Sequence, residues 1–432
     1  MRLLKSENIR QCLHTIGQSR LVKNIGWMTG AEILSRLGRI VTAIILARTL
    51  DMSAFGVAAI AITIFELTRI FTENGIGAAV IRASEETLNA TANTAYRMMW
   101  AVCLSLALIQ ASIGIYIAAI FPETQIGWMV CALASVYLVM PFGLVHAYML
   151  IRQERMKRLA IVASTQTLAD HLLTALLAIS GFGAWAIVLP KLLTTPIWLI
   201  GVTYDKPWQR IREAGLYPMR NLLNFSVPVL LSELAVAARE QLDKLLVSAL
   251  FGLEALGLYY FAFNAGLGLS TALNRALNAA LYPFLCTQGQ TGEPLKQSFK
   301  RALLMAGLPL GSIYLLQSGA ALIYVPILFG PDWKHAASLV ALLCLGGPAR
   351  LLLDSLRVFW RASGQTTQEF KLSFMFAAGT LLPLPVFAFA GLYAASLASV
   401  IGATLTAACL AFPLLAHSSH TQIPKALLGE PL

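Results

Sequence analysis

The sequence predicts an all-α polytopic membrane protein: about 12 transmembrane helices in two pseudo-symmetric six-helix lobes around a central cavity. Three observations lead there. First, 57% of the 432 residues are hydrophobic and only 12% are charged, and the mean hydropathy is +0.70. Water-soluble domains carry roughly a quarter of their residues charged, so this chain has too little polar surface to cover a soluble globule. Second, apolar runs of bilayer-spanning length, about 20 residues, recur along the whole chain. Third, basic residues alternate from loop to loop in step with those runs.

Taken in order, the runs lie near 24–48, 54–73, 94–121, 127–151, 159–180, 182–203, 225–250, 254–283, 302–329, 335–358, 366–389 and 391–415. With the N-terminus inside, 21 of the 32 Lys and Arg fall in cytoplasmic segments, with boundary residues counted in the adjoining loop. Two, Arg48 and Lys334, fall outside, and 9 lie within spans. The net charge of +11 is therefore a positive-inside bias and not a nucleic-acid footprint. Both termini are expected in the cytoplasm of a bacterial inner membrane. Met1–Lys23 is polar and basic, and the full-length apolar run behind it reads as an uncleaved anchor.

The chain repeats itself at an offset of 201: Glu32 falls on Glu233, Ala54 on Ala255, Gly56 on Gly257 and Ala61 on Ala262. Six spans per half keep both halves in one orientation, a parallel repeat about an axis along the membrane normal. The expected division is 1–204 and 225–416 for the two lobes, 205–224 for a basic cytoplasmic linker and 417–432 for a cytoplasmic tail.

Motifs for soluble chemistry are missing. There is no GxxxxGK[ST], HExxH, GxSxG or CxxC, and Gly75-Ile76-Gly77 lacks the third glycine and the preceding strand of a dinucleotide site. The six cysteines are scattered without paired spacing and read as small apolar fillers. His146 and His171 read as packing residues. No cofactor or metal is implied, and with no Walker loop the chain cannot hydrolyse ATP unaided.

Charges within the spans carry the information, because each costs a few kcal/mol at the bilayer centre unless it faces protein or water. They cluster by helical periodicity. Glu32, Arg36 and Arg39 share a face of the first span; Glu66, Arg69 and Glu73 share one on the second. On the seventh span Glu233, Glu240 and Lys244 align, with Arg239 and Asp243 off to the side. Asn264, Asn274, Arg275 and Asn278 group on the eighth, and Arg350, Asp354 and Arg357 on the tenth, after a Gly346-Gly347-Pro348 break. Away from their boundaries, spans 3, 5, 6, 9, 11 and 12 hold only Asp170, His171 and Lys191. Glu32–Arg36, Arg239–Asp243, Glu240–Lys244 and Arg350–Asp354 are also spaced i,i+4, which gives each a structural reading as an ion pair. Concentration of the set on spans 1, 2, 7, 8 and 10 favours a polar cavity.

The same stretches carry a family likeness. Gly30–Ala61, Phe71–Ile81, Gly181–Val188, Asn224–Ala262 and Ile327–Trp333 resemble, in order, segments of bacterial polysaccharide transporters. These are oligosaccharide flippases of the multidrug/oligosaccharidyl-lipid/polysaccharide exporter superfamily. The resemblance implies two six-helix lobes and alternating access. It also implies a lipid-linked oligosaccharide as cargo, carried on undecaprenyl pyrophosphate from the cytoplasmic to the outer leaflet for exopolysaccharide, O-antigen or capsule synthesis. Arginine forks suit a pyrophosphate, so the expected cavity bases are Arg36, Arg39, Arg69, Arg239, Lys244, Arg275, Arg350 and Arg357. Glu32, Glu66, Glu233 and Asp354 are the candidates for holding a coupling proton or sodium ion. A polysaccharide polymerase is a possible partner. Two other classes stay open: a cation-coupled multidrug antiporter of the same superfamily, for which eight basic residues are too many, and a membrane-embedded polymerase, for which no sizeable outer loop exists.

The topology is directly testable. Reporter fusions after Asp205 and after Lys371 should read as cytoplasmic, and fusions after Glu123 and Asp332 as external; an external signal at Asp205 would break the two-half reading.

Overall fold

The computed structural model describes residues 38–72, 75–153, 155–204, 208–290, 295–363 and 365–416. Among them the ordered elements are helices, with no strand. They are α1 (38–49), α2 (Met52–Arg69), α3 (Gly75–Arg82), α4 (Leu88–Ile120), α5 (Thr124–Ala134), α6 (Val136–Arg152), α7 (Met156–Ile179) and α8 (Trp185–Thr203). The second part of the chain adds α9 (Met219–Gln290), α10 (Leu295–Ala302), α11 (Leu308–Phe329), α12 (Lys334–Leu345), α13 (Gly347–Ala362), α14 (Thr366–Leu381), α15 (Pro383–Val386) and α16 (Leu392–Ala416). A π-helical turn, Leu303–Gly307, joins α10 to α11.

Nine stretches among the described residues are long and apolar enough to cross a bilayer. Three differences separate that figure from the expected twelve. The first expected span, 24–48, lies mostly outside the described residues. The seventh and eighth run together as α9, interrupted only at Gly252, whose φ of 85° and ψ of −178° bend the chain between two helical arms. The eleventh is divided into α14 and α15 around Leu382, ahead of two prolines, Pro383 and Pro385. The short helix α3 had no counterpart in the sequence reading, being too brief to register as a span.

The described chain forms two compact units. One comprises 38–49 and 64–233; the other comprises 50–63 and 234–416. Each unit contains a helix broken in mid-course. In the first unit α5 ends at Ala134 and α6 restarts at Val136, five residues before the internal Pro141. In the second α12 ends at Leu345 and α13 restarts at Gly347, with Pro348 in its first turn. Proline lacks the N–H that would continue the ladder and crowds the preceding turn, and each restarted helix carries one near its start.

Large apolar side chains lie on the outside. Leu108, Leu172, Leu316, Phe374 and Phe412 are all exposed, as side chains facing lipid must be. Between helices the contacts rely on small residues, because lipid gives no hydrophobic drive for helices to associate. A Cβ on Gly127 of α5 would sit 2.3 Å from the Gly114 carbonyl oxygen of α4. A Cβ on Gly402 of α16 would lie 2.1 Å from the Gly379 oxygen of α14. In the second unit the start of α2 meets the second arm of α9 in the same manner. There a Cβ on Gly56 would meet the Leu253 oxygen at 2.0 Å, and one on Gly257 the Met52 oxygen at 1.9 Å. Gly56 and Gly257 are the two glycines equated by the sequence repeat. Beside them Phe55, Phe261 and Trp333 form one aromatic cluster, with Phe261 stacked on Trp333 at 3.8 Å between ring centroids.

Neither backbone has anywhere to go in such a contact. Gly56→Val and Gly257→Val should each cost ~1–3 kcal/mol or more through overpacking, read as loss of monodisperse protein and a lower melting temperature after extraction. Gly319→Val is the control, since a Cβ there meets nothing within 4 Å.

Candidate functional site

In the second unit, three helical segments bring two of the expected bases onto one aromatic ring. The first arm of α9 supplies Lys244, the second arm supplies Phe263, and α13 supplies Arg350. The Lys244 Nζ lies 4.9 Å and the Arg350 Cζ 5.4 Å from the Phe263 centroid. Cations are drawn to the negative face of an aromatic ring, the more so when water is excluded. Lys244 is buried, at 6% exposure, whereas Arg350 is half-buried.

Local sequence explains why Arg350 arrives there. The Gly346–Gly347–Pro348 break starts α13 afresh, and the Arg350 N–H bonds to the Gly346 carbonyl at 3.1 Å. Gly347 is required by its neighbour: a Cβ would come within 2.0 Å of the ring of buried Tyr314. Arg350 also borders a narrow void of about 10 Å³ with Tyr259, Thr380, Ser396 and Ser399. That is room for one water, and the buried Ser396 hydroxyl has no hydrogen-bond partner among the described residues.

The acids nearby are engaged. Asp243 accepts from the Tyr259 hydroxyl at 3.0 Å and from the Lys244 backbone N–H at 2.8 Å, with the Lys244 ammonium 3.7 Å away. Lys244 Nζ donates in addition to Gln241 at 3.0 Å. The expected i,i+4 pair of Arg350 with Asp354 is not formed. Asp354 instead accepts from Asn274 at 2.9 Å and lies 3.7 Å from Arg357. The amide on α9 engages the carboxylate instead, and no carboxylate of a described residue pairs with Arg350. Arg357 also stands 3.8 Å from Glu369, which binds Arg361. A chain of alternating charges thus ties α13 to α14.

Other expected residues are dispersed. Arg69 is paired with Glu66 on its own helix, at 2.9 Å. Arg39 is exposed on α1. Glu233, Arg239 and Arg275 occupy helical positions on α9, while Glu32, Arg36 and Glu73 lie outside the described residues. Gly77, from the incomplete glycine motif, is a packing residue: a Cβ there would meet the Tyr148 ring at 2.4 Å. In the first unit the Lys191 ammonium of α8 reaches the Asp170 carboxylate of α7 at 2.7 Å. Sequence reading named both residues without joining them, because periodicity pairs residues on one helix and says nothing across two. Missed altogether was the polar knot of Thr68, Gln110 and Tyr137, in which the Gln110 amide also donates to the Val130 carbonyl at 3.0 Å. No spacing rule could have found it.

A double-mutant cycle tests this arrangement of charges. Asp354 and Arg357, neutralised singly and together, should show a coupling of about 0.5–3 kcal/mol in thermal stability. Asp354 and Arg350 should be additive to within a few tenths of a kcal/mol. Strong coupling of Asp354 to Arg350 would contradict the geometry.

Comparison with known proteins fits this architecture. The polysaccharide biosynthesis protein family matches residues 45–338. The succinoglycan biosynthesis transport protein ExoT of Rhizobium meliloti is 24% identical over 345 residues, covering 77% of this chain and 67% of that protein. The teichuronic acid biosynthesis protein TuaB of Bacillus subtilis is 22% identical over 334 residues, covering 77% and 68%. Among solved structures, the lipid II flippase MurJ in an inward closed conformation superposes with a TM-score of 0.72 at 13% identity, over 90% of this chain and 87% of that one. At that identity the superposition speaks for the fold alone, a polytopic helical membrane fold. The family match covers more than half of the sequence, and on it the chain belongs to the polysaccharide biosynthesis protein family.

Proposed function

We propose that this protein is a flippase that moves undecaprenyl-pyrophosphate-linked oligosaccharide repeat units from the cytoplasmic to the outer leaflet by alternating access. The observation that carries the reading is Arg350. It is a half-buried guanidinium within a membrane fold, set on the Phe263 face beside Lys244 and unmatched by any carboxylate of a described residue. A base in such a place is costly unless it serves an anion, and a planar fork binds phosphate oxygens in pairs. The names of the relatives, a succinoglycan transport protein and a teichuronic acid biosynthesis protein, support a glycan cargo. Arg36, Arg39, Arg69, Arg239, Arg275 and Arg357 complete the proposed set of bases, in two lobes of six helices each with both termini cytoplasmic.

The antiporter reading needs carboxylates free to exchange a cation. Glu66, Asp243 and Asp354 each have a basic or amide partner in the structure, which weighs against it. A polymerase would need a donor-and-acceptor site outside the membrane. The longest connections between described helices on the proposed outer side, 180–184 and 387–391, are five residues each.

Deletion of the gene should leave lipid-linked repeat units at the inner leaflet and remove surface glycan. Arg350→Lys should reach the membrane at normal levels yet restore less than about a tenth of the export, since lysine keeps the charge but loses the fork. Intact surface glycan in a deletion strain with no second flippase would sink the proposal. Raised sensitivity to cationic drugs in that strain would turn it toward the antiporter.

A further inference from the structure

A second basic feature lies in the first unit, well apart in sequence from Lys244 and Arg350. The start of α7 and the end of α8 pack side by side around a cleft of about 470 Å³. Its mouth carries Arg155 and Lys157, and its walls are Ile161, Ile200 and Tyr204. The Arg158 guanidinium donates twice to the Gly201 carbonyl, at 3.0 and 2.8 Å, and so clamps the two helices together at the floor. Behind the floor Val162 and Val202 pack against Leu150. The walls face outward: Ile161 is 48% exposed, Ile200 62% and Tyr204 86%.

Two patterns meet in this cleft. The segment Arg152–Arg158 holds four bases and one acid, Glu154. From the mouth an exposed apolar stripe runs along each helix toward mid-membrane. Leu172 lies three turns beyond Ile161, and Leu193 lies two turns before Ile200, on the same faces by helical periodicity. A phosphate at the mouth with a hydrocarbon chain along the stripe is the complement of both. Basic pockets between transmembrane helices on the cytoplasmic side are suited to anionic lipid headgroups.

We infer that this cleft is a binding site for an anionic glycerophospholipid of the cytoplasmic leaflet, its phosphate at Arg155 and Lys157 and one acyl chain along Ile161 and Ile200. The inference rests on the proposed orientation of the chain and not on the identity of the cargo. Tyr204, at the water–lipid boundary, supplies the amphipathic ring that such interfaces favour. The bound lipid would fasten the α7–α8 pair to the inner leaflet while other helices move.

The test is lipid titration of the purified full-length protein followed by native mass spectrometry, with phosphatidylglycerol and phosphatidylcholine as probes. Phosphatidylglycerol should bind at least fivefold more tightly. Lys157→Gln, at an exposed position, should reduce that preference severalfold, and Arg155→Gln with Lys157→Gln should remove most of it. Ile161→Trp, which keeps every charge but obstructs the acyl track, should weaken phosphatidylglycerol in a protein with unchanged melting behaviour. Equal binding of the two lipids by the unmodified protein would overturn the inference, as would a preference that survives both the charge and the tryptophan variants. Tight binding of a short polyprenyl pyrophosphate in place of phosphatidylglycerol would also overturn it, assigning the cleft to the cargo instead.

Discussion

A peptide group inside hydrocarbon can bond only to protein, and the rest of this structure follows from that constraint. Helices satisfy the backbone within each segment, which is why no other ordered element occurs among the described spans. Where a helix breaks, something must take up the freed groups. At Ser135 the hydroxyl donates to the Ala132 carbonyl at 2.7 Å, and at Gly346 the backbone N–H turns to the Leu343 carbonyl at 3.1 Å. Hydroxyls elsewhere obey the same rule. Ser164, Thr194, Thr203 and Thr404 each donate to a carbonyl one turn back, spending their polarity on their own helix.

With water absent, helices are held by contact and by polar pairing. The glycine pairs 114/127, 379/402 and 56/257 bring backbones together directly, increasing dispersion contact where no apolar gain exists. Pairs such as Lys191 with Asp170 and Asn274 with Asp354 then fix which helices meet. These polar links join one helix to another, and in doing so they take charges out of the inventory of unpaired groups. Arg350 stands out because the inventory leaves it over. Its neighbours, an aromatic face and hydroxyls, stabilise a guanidinium without neutralising it.

Much of the architecture was readable beforehand, and for a physical reason. Hydropathy and the loop-to-loop alternation of Lys and Arg are one-dimensional signals of a one-dimensional gradient, so span order emerged from the residues themselves, as did the helix break at Gly346-Gly347-Pro348. The repeat even equated Gly56 with Gly257 before any contact was known, although nothing in the alignment said that the two would touch each other. The charges were less legible. Periodicity proposed Arg350 with Asp354 because both project from one turn of one helix. The carboxylate instead went to Asn274 and Arg357, a choice made by a second helix eighty residues earlier in the chain. Lys244 and Arg350 were named separately, but Phe263, the ring that unites them, had no reason to be singled out among 20 phenylalanines. The helix-to-helix links failed to show because sequence spacing encodes only neighbours on the same helix.

The Asp170–Lys191 pair bears on how the protein is made. The apolar stretch Lys157–Ile179 has a mean hydropathy of 1.2, the lowest of the nine, and it carries a carboxylate whose partner is synthesised 21 residues later. Leaving the translocon alone, α7 would expose that acid to acyl chains. Retained until α8 emerges, it can leave as a hairpin, because only Ser180–Ala184 separates the two helices. The ion pair neutralises both charges before either meets lipid. Five residues of connection and one 2.7 Å contact thereby favour integration of α7 and α8 as one hairpin over release of α7 alone.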